Sequence, residues 1–371
     1  MIYDFATGNT NPENFPADEL AAAAADVIPK IVVELNRYPG KFGHLGLRKL
    51  MAQREFDREG VTLDPDQIIL THGSMQAITM VADALCQGDD PLIVMEEHCY
   101  PGSINAFRSM GIDMVGIPLD DKGMRVDLLG EALADLDRQG RKPRFIYTLA
   151  TYQNPTGTVM PRERRLELIA LARKYDCIVV EDNCYGDVHF EGEKPPALYA
   201  LDDDPRHIYI CSLSKVFAPG VRLGYLTAAP AMLEQILAKR HDAGPNTMAA
   251  AITEAYLKDR LWDHIETANE ALKKKRDAML ATLAEHSGNL YSFSHPVGGL
   301  FIWLEMADDI DMDRLLVIAE ERQVKFLAGG SFNVRGEKGP YLRLAFGFPP
   351  VEEIEAGVAK LAACIRDARR S

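Results

Sequence analysis

Residues 207–227, HIYICSLSKVFAPGVRLGYLT, hold two apolar runs, His207–Cys211 and Leu223–Thr227, on either side of a polar turn that carries Lys215 and Arg222. Short runs rich in β-branched and aromatic residues, bounded by Ser, Pro and Gly, read as buried strands. The same unit recurs toward the N-terminus at Gln67–Leu70, Leu92–Met95, Met114–Ile117, Arg144–Leu149 and Ile178–Val180. Amphipathic helical stretches lie between several of them, clearest in RERRLELIALARKYD after Pro161. This alternation predicts repeated βαβ units and an α/β fold, a mainly parallel seven-stranded sheet between helices.

From about residue 246 to 286 the pattern is almost purely helical, after which LFIWLEM (300–306) and YLRLAFG (341–347) resume as strands, with a helix between them and another at the end. A smaller α+β domain is predicted there, to which the first 35 or so residues return. The expected division is a large domain over 36–250 and a small domain made of 1–35 and 251–371.

With 371 residues, 47% hydrophobic and 26% charged, the chain can bury a large core. Its formal net charge is −14 and no basic stripe could neutralise a phosphate backbone, so nucleic acid is not an expected partner. The six cysteines are widely spaced without a C-x-x-C pair, as suits reduced thiols in a cytoplasm. The nine histidines lack metal-ligand spacing, and no metal site is expected. The opening MIYDFATGNTNPENFP lacks the basic start and apolar stretch of a secretory signal. The run Ala21–Ala25 meets Asp26 at once and reads as a helix, and no stretch approaches the roughly 18 apolar residues of a spanning helix. A cytoplasmic protein with no membrane partner is expected.

Four stretches fall at strand ends, where open α/β sheets build their sites. They are THGSMQAI (71–78), QNPTG (153–157), EDNCYGD (181–187) and SLSK (212–215). Singly each has an ordinary explanation: a turn, a helix cap, a surface lysine. Arg343, inside YLRLAFG, fits such explanations least, because an arginine flanked by Leu must reach solvent or find an anion. Together the stretches supply what one molecule needs. A lysine amine can condense with an aldehyde, while an arginine, serine hydroxyls and helix N-terminal amides can hold a phosphate. Pyridoxal 5'-phosphate has both groups, and its pyridine nitrogen, which must stay protonated, calls for a carboxylate such as Asp182.

The order S-x-S-K-x-x-x-P-G-x-R-x-G, preceded by N-P-T-G at 154–157 and D-x-x-Y at 182–185, resembles the class I/II aminotransferases of the fold-type I pyridoxal phosphate superfamily. RYPGKFGHLGLRKLMA (37–52), EEHCYPG (96–102) and VGGLFIWLEM (297–306) are similar to further segments of that family. The resemblance implies catalytic roles for Lys215, Asp182 and Tyr185, with Lys215 joined covalently to the cofactor and then acting as base. It implies that Asp182 pairs with the pyridine nitrogen and that Asn154 and Tyr185 hold the ring's 3'-oxygen. Ser212, Ser214, Arg222, Ser74 and the amides of Gly73, Ser74 and Met75 would hold the phosphate, and Tyr100 would stack on the ring. Tyr38 would reach the phosphate of a neighbouring subunit, which implies a homodimer with shared sites. On the substrate side the expectation is Arg343 on the α-carboxylate, with Asn154 and Gly8. A cis Asn154–Pro155 bond is also expected.

His44, His72 and His98 depart from the residues relatives commonly place there and leave the substrate open. The same residues around the cofactor would serve transamination of an L-amino acid with a 2-oxo acid, or β-elimination, cyclisation or oxidation. Some bacterial transcription regulators carry such a domain behind a DNA-binding one. Here the pattern begins within FATGNTNP (5–12) and the charge is acidic, so an enzyme is expected.

Overall fold

The computed structural model describes residues 1–370. All seven expected strands form and hydrogen-bond into one sheet: β1 Ile68–Thr71, β2 Leu92–Glu96, β3 Asp113–Ile117, β4 Phe145–Thr148, β5 Ile178–Asp182, β6 His207–Ser212 and β7 Gly224–Ala228, in the order β1-β7-β6-β5-β4-β2-β3. β2, β3, β4, β5 and β6 pair in parallel, and only β7 runs against its neighbours, β6 and β1. Every residue of β1, β2, β4, β6 and β7 is buried, as in a sheet covered on both faces. Four starts differ from expectation by one residue, at Ile68, Asp113, Phe145 and Gly224. Gln67 belongs to a 3-10 turn, Pro65–Gln67, held by an Asp64 capping box, and β7 begins at Gly224 because Arg222 has a left-handed backbone.

A second sheet joins β8 Tyr291–Phe293, β9 Phe301–Met306, β10 Leu327–Ala328 and β11 Tyr341–Ala345 in the order β8-β9-β11-β10. Helices Met312–Glu321 and Val351–Asp367 accompany it, and the 27-residue helix Leu261–Ser287 runs against the latter. The N-terminal strand Tyr3–Asp4 pairs with Val324–Lys325, and the Ala345 amide donates to the Phe5 carbonyl. This edge seating carries residues 6–9 to the mouth of the site described below.

A buried ionic cluster ties the large sheet to its surroundings. Asp187, five residues past the end of β5, receives Arg54 Nε at 2.7 Å and Arg58 Nε at 3.0 Å, both from the helix Leu45–Glu59. The same Arg54 donates to the Tyr225 hydroxyl of β7 at 2.6 Å, and Asn269 of the long helix donates to the Asp187 carbonyl at 2.8 Å. Burial alone would raise the Asp187 carboxyl, but Arg54, Arg58 and Lys194 hold it well below the usual carboxylate range. A carboxyl depressed in the folded state contributes stability above its unfolded value of about 3.9, which is lost as pH falls through the folded value. Asp187→Asn should therefore cost about 3 kcal/mol in urea unfolding at pH 7 and flatten the acid side of the stability curve. A midpoint equal to the parent's at pH 7 would remove the cluster from this role.

Candidate active site

The C-terminal ends of the parallel strands open onto a cavity of about 430 Å³. Of the residues expected from sequence, Gly8, Ser74, Met75, Tyr100, Asn154, Asp182, Tyr185, Ser212, Ser214, Lys215, Arg222 and Arg343 all line it. Gly73 and Tyr38 are not among its lining. Tyr38 is 87% exposed. Gly73 has φ +72°, and a Cβ there would lie 2.6 Å from Arg222 Nη2, so its missing side chain lets the guanidinium reach the start of the helix Ser74–Leu85. Its amide donates to the Thr71 carbonyl at 2.9 Å. The amides of Ser74 and Met75 open the helix, where first-turn N–H groups have no intrahelical acceptor.

Local sequence shapes each loop. After β6 the Ser214 amide donates to Ser212 Oγ at 3.2 Å, and Arg222, at φ +53°, ends the 3-10 turn Pro219–Val221. After β4 the Asn154–Pro155 bond is cis, as expected. Gln153 Oε1 accepts from the Thr156 amide at 2.9 Å and its hydroxyl at 2.8 Å. Arg165, fully buried, donates to the carbonyls of Met160 and Ala150, each at 2.8 Å, and clasps both ends of this loop. Tyr100 precedes the helix Pro101–Ser109 and leans over Gly102, where a Cβ would come within 2.5 Å of its ring.

Three charged groups set the electrostatics. Burial lowers the Lys215 amine from its usual value, and Arg343 and Arg222 lower it further against Cys184 and Asp182. Its Nζ donates to the Gly8 carbonyl at 2.8 Å. Burial raises the Asp182 carboxyl, opposed by hydrogen bonds from Cys184 and Tyr147. Burial brings Arg343 down to about 10, so it stays charged at neutral pH. Its Nη1 donates to Asn154 Oδ1 at 3.1 Å and its Nη2 to the Ala6 carbonyl, and the guanidinium lies 4.1 Å from the Phe301 ring centroid. Its Nε is buried without a partner. An unsatisfied buried N–H of a cation is costly, and an anion entering the cavity would satisfy it.

Sequence reasoning missed Ala6, Cys184, Phe301 and Leu327, which also line the cavity. Cys184 stands in a quoted motif, but nothing in its spacing marks a thiol aimed at Asp182. Phe301 and Leu327 arrive through strand pairing, the latter opposite Arg343 in register. None of the three noted histidines lines the cavity. His44 precedes the helix Leu45–Glu59, His72 Nε2 lies 3.6 Å from Asp242, and His98 packs against the rings of Trp303 and Tyr341.

The donor set fits pyridoxal 5'-phosphate. It offers a buried amine of lowered basicity, a helix start opened by Gly73 beside a guanidinium, and a buried carboxylate that a cationic ring nitrogen would stabilise. Arg343, its Nε unpartnered, could receive a second anion.

Residues 2–361 match the family model described as aminotransferase class I and II. The chain is 33% identical to an aromatic-amino-acid aminotransferase of Thermococcus litoralis, over 99% of this chain and 88% of that protein. The crystal structure of a kynurenine aminotransferase of Pyrococcus horikoshii, solved in complex with PMP, superposes with a TM-score of 0.94 at 31% identity, covering 100% of this chain and 92% of that one. That of LysN, an α-aminoadipate aminotransferase of Thermus thermophilus complexed with N-(5'-phosphopyridoxyl)-L-leucine, gives 0.91 at 29% identity, covering 99% and 92%.

Proposed function

Since this chain belongs to the class I and II aminotransferases and uses pyridoxal 5'-phosphate to exchange an amino group between an amino acid and a 2-oxo acid, we propose the following roles for its residues and a class of donor. When bound, the cofactor supplies an electron sink for the pair left at the amino acid's α-carbon. Lys215 would hold it covalently and, as a free amine, would take and return the substrate's α-proton. Its lowered basicity keeps a neutral amine accessible for this. Asp182 would hold the ring nitrogen in its cationic form, and Asn154 and Tyr185 would hold the 3'-oxygen. Ser212, Ser214, Arg222, the Ser74 side chain and the amides of Gly73, Ser74 and Met75 would hold the phosphate, and Tyr100 would cover the ring.

Arg343 orients the substrate through a bidentate pair with its α-carboxylate, and Gly8 and Asn154 close around it. The observation that carries this reading is the Arg343 Nε, buried and unpartnered in a guanidinium whose Nη1 is already held by Asn154. The donor's side chain then meets Ala6, Phe301 and Leu327, and the cations of the lining, Lys215, Arg222 and Arg343, are all engaged elsewhere. An apolar or aromatic donor suits this subsite, in line with the names of the Thermococcus litoralis and Pyrococcus horikoshii relatives, while the Thermus thermophilus one is named for the acidic α-aminoadipate.

The proposal extends to a homodimer in which Tyr38 reaches the partner's phosphate. Helix Ala17–Val27 and the turn Val32–Leu35 contain no buried residue, and Phe15, Val32, Val33 and Leu45 are exposed alongside Tyr38. The division into a large domain (36–250) and a small one (1–35 with 251–371) is part of the same reading, supported by the pairing of Tyr3–Asp4 with Val324–Lys325. Residence in the cytoplasm is supported by six free cysteines. Among the described residues no helix is long and apolar enough to cross a membrane.

The test is the visible spectrum of the purified holoprotein. Its yellow colour should bleach on adding phenylalanine, tyrosine or leucine without any oxo acid, and return with 2-oxoglutarate. Bleaching by aspartate or lysine alone would overturn the donor class.

A further inference from the structure

Asp182 is anchored by two donors of different origin. Its carboxylate is 3% exposed and accepts the Tyr147 hydroxyl on Oδ2 at 2.6 Å and the Cys184 thiol on Oδ1 at 2.7 Å. Cys184 lines the cavity; Tyr147 does not. Tyr147 sits in β4, beside the strand that ends on Asp182, and is fully buried. Its hydroxyl also lies 2.8 Å from Ser103 Oγ, in the helix that follows Tyr100. An ionised carboxylate only accepts, so the tyrosine gives its one proton to Asp182 and must itself accept from Ser103. The ring is held edge-on to Phe107 at 5.4 Å, which leaves the hydroxyl little freedom to leave Asp182.

We propose that Tyr147 is a positioning residue for the reaction: the chain Ser103–Tyr147–Asp182 grips the carboxylate from outside the cavity and keeps it turned and charged for the cofactor's ring nitrogen. The inference rests on the reading that Asp182 pairs with that nitrogen. Burial drives a carboxyl toward its neutral form, and a short hydrogen bond to the charged form opposes this. Without the phenol, Asp182 would be a weaker anion with one fewer restraint on its plane. The plainer alternative is that Tyr147 only satisfies its own buried hydroxyl.

The two differ in whether the ring nitrogen matters. Apoprotein prepared from the holoenzyme is titrated with pyridoxal 5'-phosphate and with the 1-deaza analogue, in which carbon replaces the ring nitrogen. The parent should prefer the natural cofactor. Tyr147→Phe should weaken the natural cofactor about tenfold or more and leave the analogue within about twofold, so the preference shrinks. The kcat of the holoenzyme should fall by a similar factor with the amino-acid KM unchanged. Ser103→Ala should move the preference in the same direction by less, and it carries the test if the phenylalanine variant does not fold. Equal weakening of both ligands, or an unchanged preference in these variants, overturns the role of Tyr147 while leaving Asp182 in place. A parent that binds both ligands equally overturns the pairing of Asp182 itself, and the inference with it.

Discussion

Lys215→Ala should cut turnover about ten-thousand-fold or more, while the melting temperature stays within a few degrees of the parent's. The lysine contributes one hydrogen bond, to the Gly8 carbonyl at 2.8 Å, and burial makes its charged form costly, so its loss takes little from the fold. Its proposed role is chemical: it would bond covalently to the cofactor and move a proton at the α-carbon. The yellow colour of a covalently held cofactor should change with it, and added methylamine should restore part of the turnover by supplying the missing base. A variant with undiminished turnover on the best donor would remove Lys215 from the mechanism.

Arg343→Ala should lower kcat/KM for amino acids about a thousandfold, roughly 4 kcal/mol. Arg343 is 4% exposed, its guanidinium seated over the Phe301 ring at 4.1 Å, and its Nε has no acceptor among the described residues. A carboxylate bound there is desolvated on both sides, which is where truncating one partner is most damaging. Arg343→Lys should recover only part, since a point charge cannot make the two parallel bonds. Arg343 also holds Asn154 and the Ala6 carbonyl, so a control is needed for disorder of the loops. Benzylamine, an amine with no carboxylate, provides it: its half-reaction should be nearly as fast in the variant as in the parent. Equal losses with both substrates would assign Arg343 to loop support instead.

Much of this site was legible because its residues stand in short motifs at strand ends. A parallel sheet buried on both faces writes each strand as a continuous apolar run, and the polar residue after each run is at the sheet's C-terminal edge. Hence Ser74, Asn154, Asp182, Ser212 and Lys215 were found together in one cavity. Arg343 was legible for a different reason: a charge between leucines needs a partner that the motif itself does not contain. The boundaries at Gln67 and Leu223 moved by one residue because a 3-10 turn and a left-handed arginine intervene, and apolar pattern does not report backbone handedness.

What the sequence determined by itself is the sheet, the order of its strands' chemistry and the identity of the groups at its edge, since periodicity and local turn chemistry are properties of neighbouring residues. Tertiary structure alone decided which polar atoms meet across elements. Tyr147 reads as one more aromatic in a strand, yet its hydroxyl spans to Asp182 on the next strand and to Ser103 on a helix. Arg54 and Asp187 lie 133 residues apart and share a buried ion pair. Ala6, Phe301 and Leu327 reach the cavity from three separate segments. A hydrogen bond or an ion pair depends on distances of a few tenths of an ångström, and those are set by packing of the whole core, which no local pattern encodes.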